Sequence, residues 1–380
     1  MTPELLRYKK PRIHGLIKKS AFNARYRGEI CVEGNIIKYL ENVAPGVPPE
    51  IMSTESYLKL HKMASLFRDF VSEEYILETC LDRDEPCVDF SFCIRETERE
   101  LLAGAFKEHC FKPLTGDEVW KRVINFVNSW SVKDVTSYKK VNNIWLEMDS
   151  GEHGKDIPRP CFFFDASQVK SGTSVDSEWV WEEALKKLLD DDLVDLLQDK
   201  LKTVIRCLPP GTALFQVGTM LSRNEDRVRI FTSELTREQT AWYLKNIGWP
   251  GNAGQIKKIF DLIDNFSDGR YIVDFDVTRE GISEKTGINF GLGNSNVLPS
   301  FLGELAGHNL CTDLKKRGIS SWKGSSCRFL GRDYGQTALL RNISHFKVAY
   351  SPGERIRVKA YLKVAGVYLK ELFKKAYSTH

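Results

Sequence analysis

The chain has 380 residues, of which 42% are hydrophobic and 28% charged, and its formal net charge is +4 at pH 7. This is an ordinary globular composition that argues against a disordered chain, and no stretch approaches the roughly 18 uninterrupted apolar residues of a membrane span. We therefore expect a folded, cytoplasmic protein with no membrane partner.

The cysteines predict a reducing environment. They number nine, are scattered along the chain, and show no C-x-x-C pair. This usage favours buried free thiols over a disulfide framework or a zinc site.

Positive charge is concentrated near both ends of the chain, in the first 28 residues and from Arg341 onward. Such a concentration is typical of a surface or site that binds an anion, which could be a diphosphate, an acidic peptide or nucleic acid. Charge alone does not choose among these ligands.

The N-terminal segment has the least regular pattern. Apolar positions at near-helical spacing predict a helix over residues 53–81, and residues 29–40 suggest a strand pair around a Glu-Gly-Asn turn. We predict that residues 1–84 form a mostly helical extension that packs on a main domain of residues 85–380.

From residue 87 onward, predicted strands come in hairpins with helices between them. The predicted strands are 87–94, 143–149, 161–166, 212–222, 227–233, 270–277, 286–292, 345–351 and 355–362. The predicted helices are 96–108, 116–129, 179–207, 236–247, 253–266, 299–316, 333–340 and 367–376. Hairpins make antiparallel pairs, and closing the sheet removes its exposed edges. The sequence therefore predicts an α+β fold, an antiparallel β-barrel of repeated αββα units with the helices wrapped outside.

The alternation of side chains predicts what the barrel encloses. Helices that cover the outer face require apolar residues there, so the polar residues of each strand point inward. The inward set includes Trp145, Glu147, Arg229, Phe231, Asp274, Asp276, His345, Lys347, Arg357, Lys359 and Tyr361. So many buried charges need partners or solvent, which favours a wet binding cavity over a packed core. An open sheet with one solvated face would give the same alternation.

The order of hairpins and helices resembles the ABBA-fold, or PT-barrel, aromatic prenyltransferases. The best local match is Arg357-x-Lys359-x-Tyr361, which looks like the R-x-K-x-Y strand motif with which that family binds the isoprenoid diphosphate. The segment 345–362 is similar in character to the end of the cyanobactin peptide prenyltransferases. The resemblance implies an enzyme that transfers an isoprenoid from its diphosphate to an aromatic or peptide side-chain acceptor inside the barrel, as in RiPP biosynthesis.

The same resemblance assigns the diphosphate to Arg357, Lys359 and Tyr361, with help from Arg229 and Lys347. Cations two residues apart on a strand share one face and lie roughly 6.5–7 Å apart. The planar guanidinium fork and the compact ammonium grip phosphate in complementary ways.

The resemblance also implies roles for two aromatic rings and three carboxylates. Trp145 and Phe231 would shield the allyl cation, and Glu147 would orient or deprotonate the acceptor. Asp274 and Asp276 would hold Mg²⁺ on the diphosphate. Salt bridges to neighbouring cations are the alternative for all three carboxylates.

Two other functions remain open. The first is a barrel enzyme that modifies a peptide or small molecule without an isoprenoid. The second is a non-catalytic module that binds a peptide or anion; nucleic acid is not favoured. The sequence contains no phosphate-binding G-x-x-x-x-G-K-[ST], no H-E-x-x-H and no G-x-S-x-G, so three common enzyme signatures are absent from it.

Overall fold

The computed structural model describes residues 36–67, 74–107, 114–150, 158–172, 174–223, 225–330 and 335–368. The strands of these ranges are β1 (Glu74–Cys80), β2 (Asp89–Arg95), β3 (Asn143–Met148), β4 (Pro160–Asp165), β5 (Leu214–Thr219), β6 (Arg227–Thr232), β7 (Ser267–Thr278), β8 (Ile282–Leu292), β9 (Gly324–Phe329), β10 (Gln336–Tyr350) and β11 (Arg357–Tyr368). The helices are α1 (Ile36–Val43), α2 (Thr54–Ala64), α3 (Arg99–Lys107), α4 (Glu118–Trp130), α5 (Thr136–Lys140), α6 (Lys186–Leu188), α7 (Asp191–Arg206), α8 (Arg237–Asn246), α9 (Ala253–Ile263), α10 (Leu298–Gly307) and α11 (Asp313–Ser320).

Ten of the described strands close into a barrel. Strands β1 to β8 follow one another around the ring, β10 pairs with β8, and β11 joins β10 to β1. All these pairs are antiparallel, and β9 lies outside the ring on the first part of β10. The predicted α+β fold, a closed antiparallel barrel with helices around it, is confirmed.

The hydrophobic core lies between the outer face of the barrel and the helices. On β3 the side chains of Ile144, Leu146 and Met148 are fully buried, whereas the residues between them are half-buried. Ring contacts join helices to strands, such as Phe126 of α4 with Phe162 of β4, whose ring centroids are 4.7 Å apart. Burial of each such side chain contributes about 1.5–3 kcal/mol, so this layer orients the polar residues toward the lumen.

Helix starts follow local signals in the sequence. The predicted capping box is present at α8, where the Thr236 hydroxyl accepts from the backbone of Gln239 and the Gln239 side chain accepts from the backbone of Thr236. The Asp117 side chain caps α4 by accepting hydrogen bonds from the backbone of the first turn, and it also forms an ion pair with Arg159. Caps of this kind stabilise a helix by about 1 kcal/mol and fix where it begins.

The N-terminal part corrects three predictions. Residues 36–40 belong to helix α1 and not to a strand, and the rest of that predicted strand pair, residues 29–35, lies outside the described residues. The helix predicted over 53–81 ends at Ala64, and β1 follows within it. Because β1 pairs with both β2 and β11, the barrel begins before residue 85, and the predicted boundary at residue 84 falls inside it.

The rest of the chain corrects three more helix predictions. Strand β10 begins at Gln336, where a helix was predicted, and β9 was not predicted at all. Strand β11 continues to Tyr368 over the start of the helix predicted at 367–376, whose remaining residues lie outside the described ranges. The long helix predicted over 179–207 is interrupted, because the acidic run at Asp190 starts the new helix α7.

Candidate active site

The lumen is lined by the residues predicted to point inward. The site residues predicted from the sequence lie on the inner face of β3, β6, β7, β10 and β11: Trp145, Glu147, Arg229, Phe231, Asp274, Asp276, Lys347, Arg357, Lys359 and Tyr361. The register aligns these strands so that Arg229 lies opposite Asp276 and Lys347 opposite Lys359. The structure therefore places these residues on the inner faces of their strands, with Arg357 near one end of the barrel.

Lys347 of β10 and Asp274 of β7 form a buried ion pair over the intervening strand β8. Lys347 Nζ lies 2.7 Å from Asp274 Oδ1, and the Asn289 amide donates to Asp274 Oδ2 at 2.8 Å. The pair lies directly over Gly287, where a Cβ would approach Lys347 Cε to 2.2 Å and Asp274 Oδ2 to 2.3 Å. Burial lowers the pKa of Lys347, and Asp274 opposes that effect. Gly287 is thus required for the position of this ammonium.

Asp276 is the centre of a second pairing. Arg229 donates to it with Nε and Nη2, at 2.7 and 3.0 Å, and Arg227 Nη1 donates at 2.8 Å. Burial would raise the pKa of Asp276, but the two guanidinium groups outweigh it and the pKa falls. Asp276 stays ionised and holds both arginines in the lumen.

The predicted motif on β11 divides between the lumen and its rim. Lys359 pairs with Glu78 of β1, which holds the pKa of that buried carboxyl at about 2 although burial acts in the opposite direction. Tyr361 stacks on His345 with ring centroids 4.1 Å apart. Arg357 is 42% exposed, and its Nη2 lies 3.9 Å from Glu354 Oε2 at the barrel end.

The two aspartates predicted to hold Mg²⁺ do not fit that role in this arrangement. Their oxygens are bound by Lys347, Arg227 and Arg229, so a divalent cation there would face three positive groups. Among the described residues, no group of three or more His, Cys, Asp or Glu could hold a metal ion. In the structure both carboxylates instead form salt bridges with cations, which is the alternative role given above.

The two predicted shielding residues belong to one apolar cluster inside the lumen. Trp145 and Phe231 pack on Cys161, Phe163 and Met220. The Phe163 and Phe231 rings meet edge to face with centroids 5.7 Å apart, and Lys347 Nζ lies 5.8 Å from the Phe231 centroid. The aromatic patch is therefore in cation–π range of a cation predicted to bind diphosphate.

Glu147 lies among other carboxylates, two residues from Trp145 on the same face of β3 and opposite Cys161 in the register. Its burial, followed by the charges of Glu78 and Asp149, raises the pKa of Glu147 to about 8. The Arg223 guanidinium lies 3.8 Å from Glu147 and opposes this effect. Glu147 therefore exchanges its proton near neutral pH, which suits a general acid or base.

Sequence reasoning missed four of the partners that set these properties: Glu78, Asp89, Phe163 and Arg223. Glu78 was hidden because its strand was predicted as a helix. Phe163 lies on β4, whose residues are all buried, so the strand has no polar alternation that marks an inner face. Arg223 lies in the turn before β6, where no periodicity applies.

Comparison with known proteins gives structural matches alone. Neither a family model nor a curated protein matches the sequence. The crystal structure of 6-dimethylallyltryptophan synthase from Micromonospora olivasterospora in complex with DMASPP and Trp matches with a TM-score of 0.51 at 12% identity, over 88% of this chain and 97% of that one. AnaPT from Neosartorya fischeri matches with a TM-score of 0.53 at 10% identity, over 87% of this chain and 92% of that one.

These matches establish the fold, and the resemblance predicted from the sequence is confirmed at that level. The chain has the ABBA, or PT-barrel, fold, and its structural neighbours are aromatic prenyltransferases. Among the described helices, none combines the length and apolar character that crossing a membrane requires.

Proposed function

We propose that this protein transfers an isoprenoid from its diphosphate to an aromatic acceptor within the barrel. One observation carries the proposal: Lys347 Nζ lies 2.7 Å from Asp274 and 5.8 Å from the centre of the Phe231 ring. A cation suited to a departing diphosphate and a ring suited to an allyl cation therefore meet at one point. Fold alone would not support this function, because one fold serves many activities.

The residues of the lumen account for each step of such a transfer. When the allylic C–O bond breaks, its electron pair leaves with the diphosphate, and Arg229, Lys347 and Lys359 neutralise the new charge. The allyl cation lies against the aromatic cluster, which stabilises it and excludes water.

The acceptor ring then supplies a π electron pair to form the new C–C bond. The ring carbon loses its proton to the carboxylate of Glu147, which restores aromaticity. A base whose pKa lies near the operating pH is suited to take up and release this proton. The products are the prenylated acceptor, diphosphate and one proton, so atoms and charge balance.

Indole is the first acceptor class to test. The crystal structure of one structural neighbour is a complex with DMASPP and Trp, and the lumen here offers an aromatic patch for a planar ring. We propose tryptophan, free or as a peptide side chain, as the acceptor. A peptide acceptor would place the protein in cytoplasmic RiPP biosynthesis.

The proposal is tested by titrating the protein with DMASPP in a calorimeter. Lys347→Met should weaken binding at least tenfold, about 1.4 kcal/mol, because it removes a charge-assisted contact to phosphate. Lys186→Met is the matched control, since Lys186 also contacts carboxylates, Glu182 and Asp195, but on the outer surface. Turnover is then followed by mass spectrometry with dimethylallyl diphosphate and tryptophan. If the folded protein binds no DMASPP, isoprenoid transfer is excluded.

A second candidate function rests on the ion pairs themselves. Arg229, Lys347 and Lys359 each already have a carboxylate partner, so the lumen is balanced without a diphosphate. This favours a barrel enzyme that modifies a peptide or small molecule without an isoprenoid. Binding of a tryptophan peptide in the absence of DMASPP binding would support it. Salt-dependent binding of an acidic peptide without turnover would support a binding module.

A further inference from the structure

Arg223 joins a surface turn to the end of an inward-facing strand. It is the last residue of the short turn Leu221–Arg223 between β5 and β6. Its Nε and Nη2 donate to the two oxygens of Asp149, at 3.0 and 2.8 Å, and Nη2 also lies 3.8 Å from Glu147 Oε1. The Ser222 hydroxyl donates to Asp149 as well, at 3.0 Å. One guanidinium thus faces both carboxylates at the end of β3.

The other described titratable groups around Glu147 do not form an ion pair with its carboxylate. The groups that face Glu147 are Glu78 of β1, Asp89 of β2, Asp149 after β3, Cys161 of β4, Arg223 before β6, and Lys359 and Tyr361 of β11. The Lys359 ammonium is bound by Glu78. Among the described residues, Arg223 is the cation that forms an ion pair with Glu147.

We propose that Arg223 is a positioning residue that sets the pH range in which Glu147 exchanges its proton. This inference rests on the proposed role of Glu147 in the transfer. The bidentate contact holds Asp149 in one place and neutralises it, and the remaining positive field reaches Glu147. Removal of the guanidinium leaves Asp149, which follows the end of β3 two residues after Glu147, as an uncompensated carboxylate beside Glu147.

The sign of the effect follows from these charges. An extra unpaired carboxylate disfavours the ionised form of Glu147, so its proton is released at higher pH. The ionised fraction at pH 7 to 8 then falls, and with it the rate of any step that needs the base. Neutralising Asp149 acts in the opposite direction.

The test measures protonation of Glu147 directly, in the ligand-free full-length protein. Glutamate labelled with ¹³C at the carboxyl carbon is titrated by NMR, and the resonance that Glu147→Gln removes is assigned to Glu147. We expect Arg223→Met to raise the titration midpoint by about one pH unit or more. We expect Arg223→Lys to raise it by less, because the charge stays but the fork is lost. Asp149→Asn should lower it.

The matched control is Arg237→Met. Arg237 also bridges two carboxylates, Asp261 at 2.8 Å and Asp264 at 2.5 Å, and it is exposed to a similar extent, but it lies outside the barrel. This variant should leave the Glu147 midpoint unchanged. A midpoint in Arg223→Met equal to that of the wild type would overturn the proposal, and so would an equal shift in Arg237→Met.

The result does not depend on prenyl transfer. If Arg223→Met fails to fold, Asp149→Asn and Arg223→Lys decide the question, because they predict midpoint shifts of opposite sign. If the midpoints shift as expected but the wild type binds no DMASPP, the control of Glu147 by Arg223 stands and the proposed function fails. If DMASPP binds but the midpoints do not move, the proposed function stands and the control of Glu147 by Arg223 fails.

Discussion

Replacement of Glu147 by glutamine should stabilise the folded protein, and most strongly at alkaline pH. Burial, followed by Glu78 and Asp149, raises the pKa of this carboxyl from 4.5 to about 8. A carboxyl with a raised pKa binds its proton more tightly in the folded state than in the unfolded state. The stability that it contributes is fully present below pH 4.5 and is lost as the pH rises through about 8. Glutamine has the same shape and does not ionise.

The magnitude follows from the difference between the two pKa values. A difference of about 3.5 corresponds to about 5 kcal/mol, at 1.36 kcal/mol per pKa unit. This is an upper limit, because 21% of the Glu147 side chain is exposed and solvent screens its neighbours. We expect Glu147→Gln to raise the free energy of unfolding by about 1–2 kcal/mol at pH 9 and by close to zero at pH 5.

The measurement is urea unfolding followed by tryptophan fluorescence at several pH values and constant ionic strength. Glu234→Gln serves as the control, since Glu234 is an exposed glutamate and its replacement should have no pH-dependent effect on stability. A stability difference between Glu147→Gln and the wild type that is independent of pH would refute the reasoning. A variant that is less stable than the wild type at pH 9 would also refute it.

Three further outcomes follow from packing, hydrogen bonding and exposure. Gly287→Ala should lower the free energy of unfolding by about 2–3 kcal/mol, because the new Cβ would lie 2.2 Å from Cε of Lys347. In the control Gly104→Ala the new Cβ meets nothing within 4 Å, so this variant should raise the free energy of unfolding by about 0.5–1 kcal/mol. Lys315→Met should destabilise by about 2–3 kcal/mol, because three oxygens at 2.8, 3.0 and 3.2 Å lose their donor; equal stability in urea would contradict this. Maleimide should label exposed Cys327 in the native protein but reach Cys161, which is buried and has a raised pKa, only after unfolding, as mass spectrometry can show.

The fold could be predicted where local patterns and tertiary packing agree. Strand β3 and the first part of β11 carry buried apolar residues at every second position, so their two faces could be assigned from sequence and agree with the burial in the structure. Turn residues separated the hairpins, and the capping box marked the start of α8. Together these signals were sufficient for nine of the ten barrel strands but not for β1, which closes the ring.

The prediction failed where neighbours in space determine the structure. Tyr75, Ile76 and Leu77 are buried in succession because β1 lies between two strands with helices outside, and such a run has no period of two. The first part of β10 is a strand because β9 and β11 pair with it on either side. Its own sequence shows no such preference, since strand propensity depends on these neighbours.

The site could be predicted as a set of residues but not as a set of pairs. Alternation predicted that Lys359 and Lys347 point inward, and the register pairs the two residues on neighbouring strands. Glu78 meets Lys359 across 281 positions of sequence, and the order of strands in the closed ring creates that contact. No local pattern encodes it, so the electrostatics of the lumen became visible only in the structure.

These ion pairs change how strongly the cations of the lumen can bind an anionic ligand. An anionic ligand must compete with Glu78, Asp274 and Asp276 for the donors that already bind them. Its affinity is therefore a difference between two sets of contacts and does not follow from the number of inward cations. A strand with spaced Arg and Lys accordingly says little about diphosphate binding by itself. A phosphate binds only if its contacts with these donors are more favourable than the carboxylate contacts that it replaces. The acids on β1 and β7 therefore help to determine which anions this barrel binds.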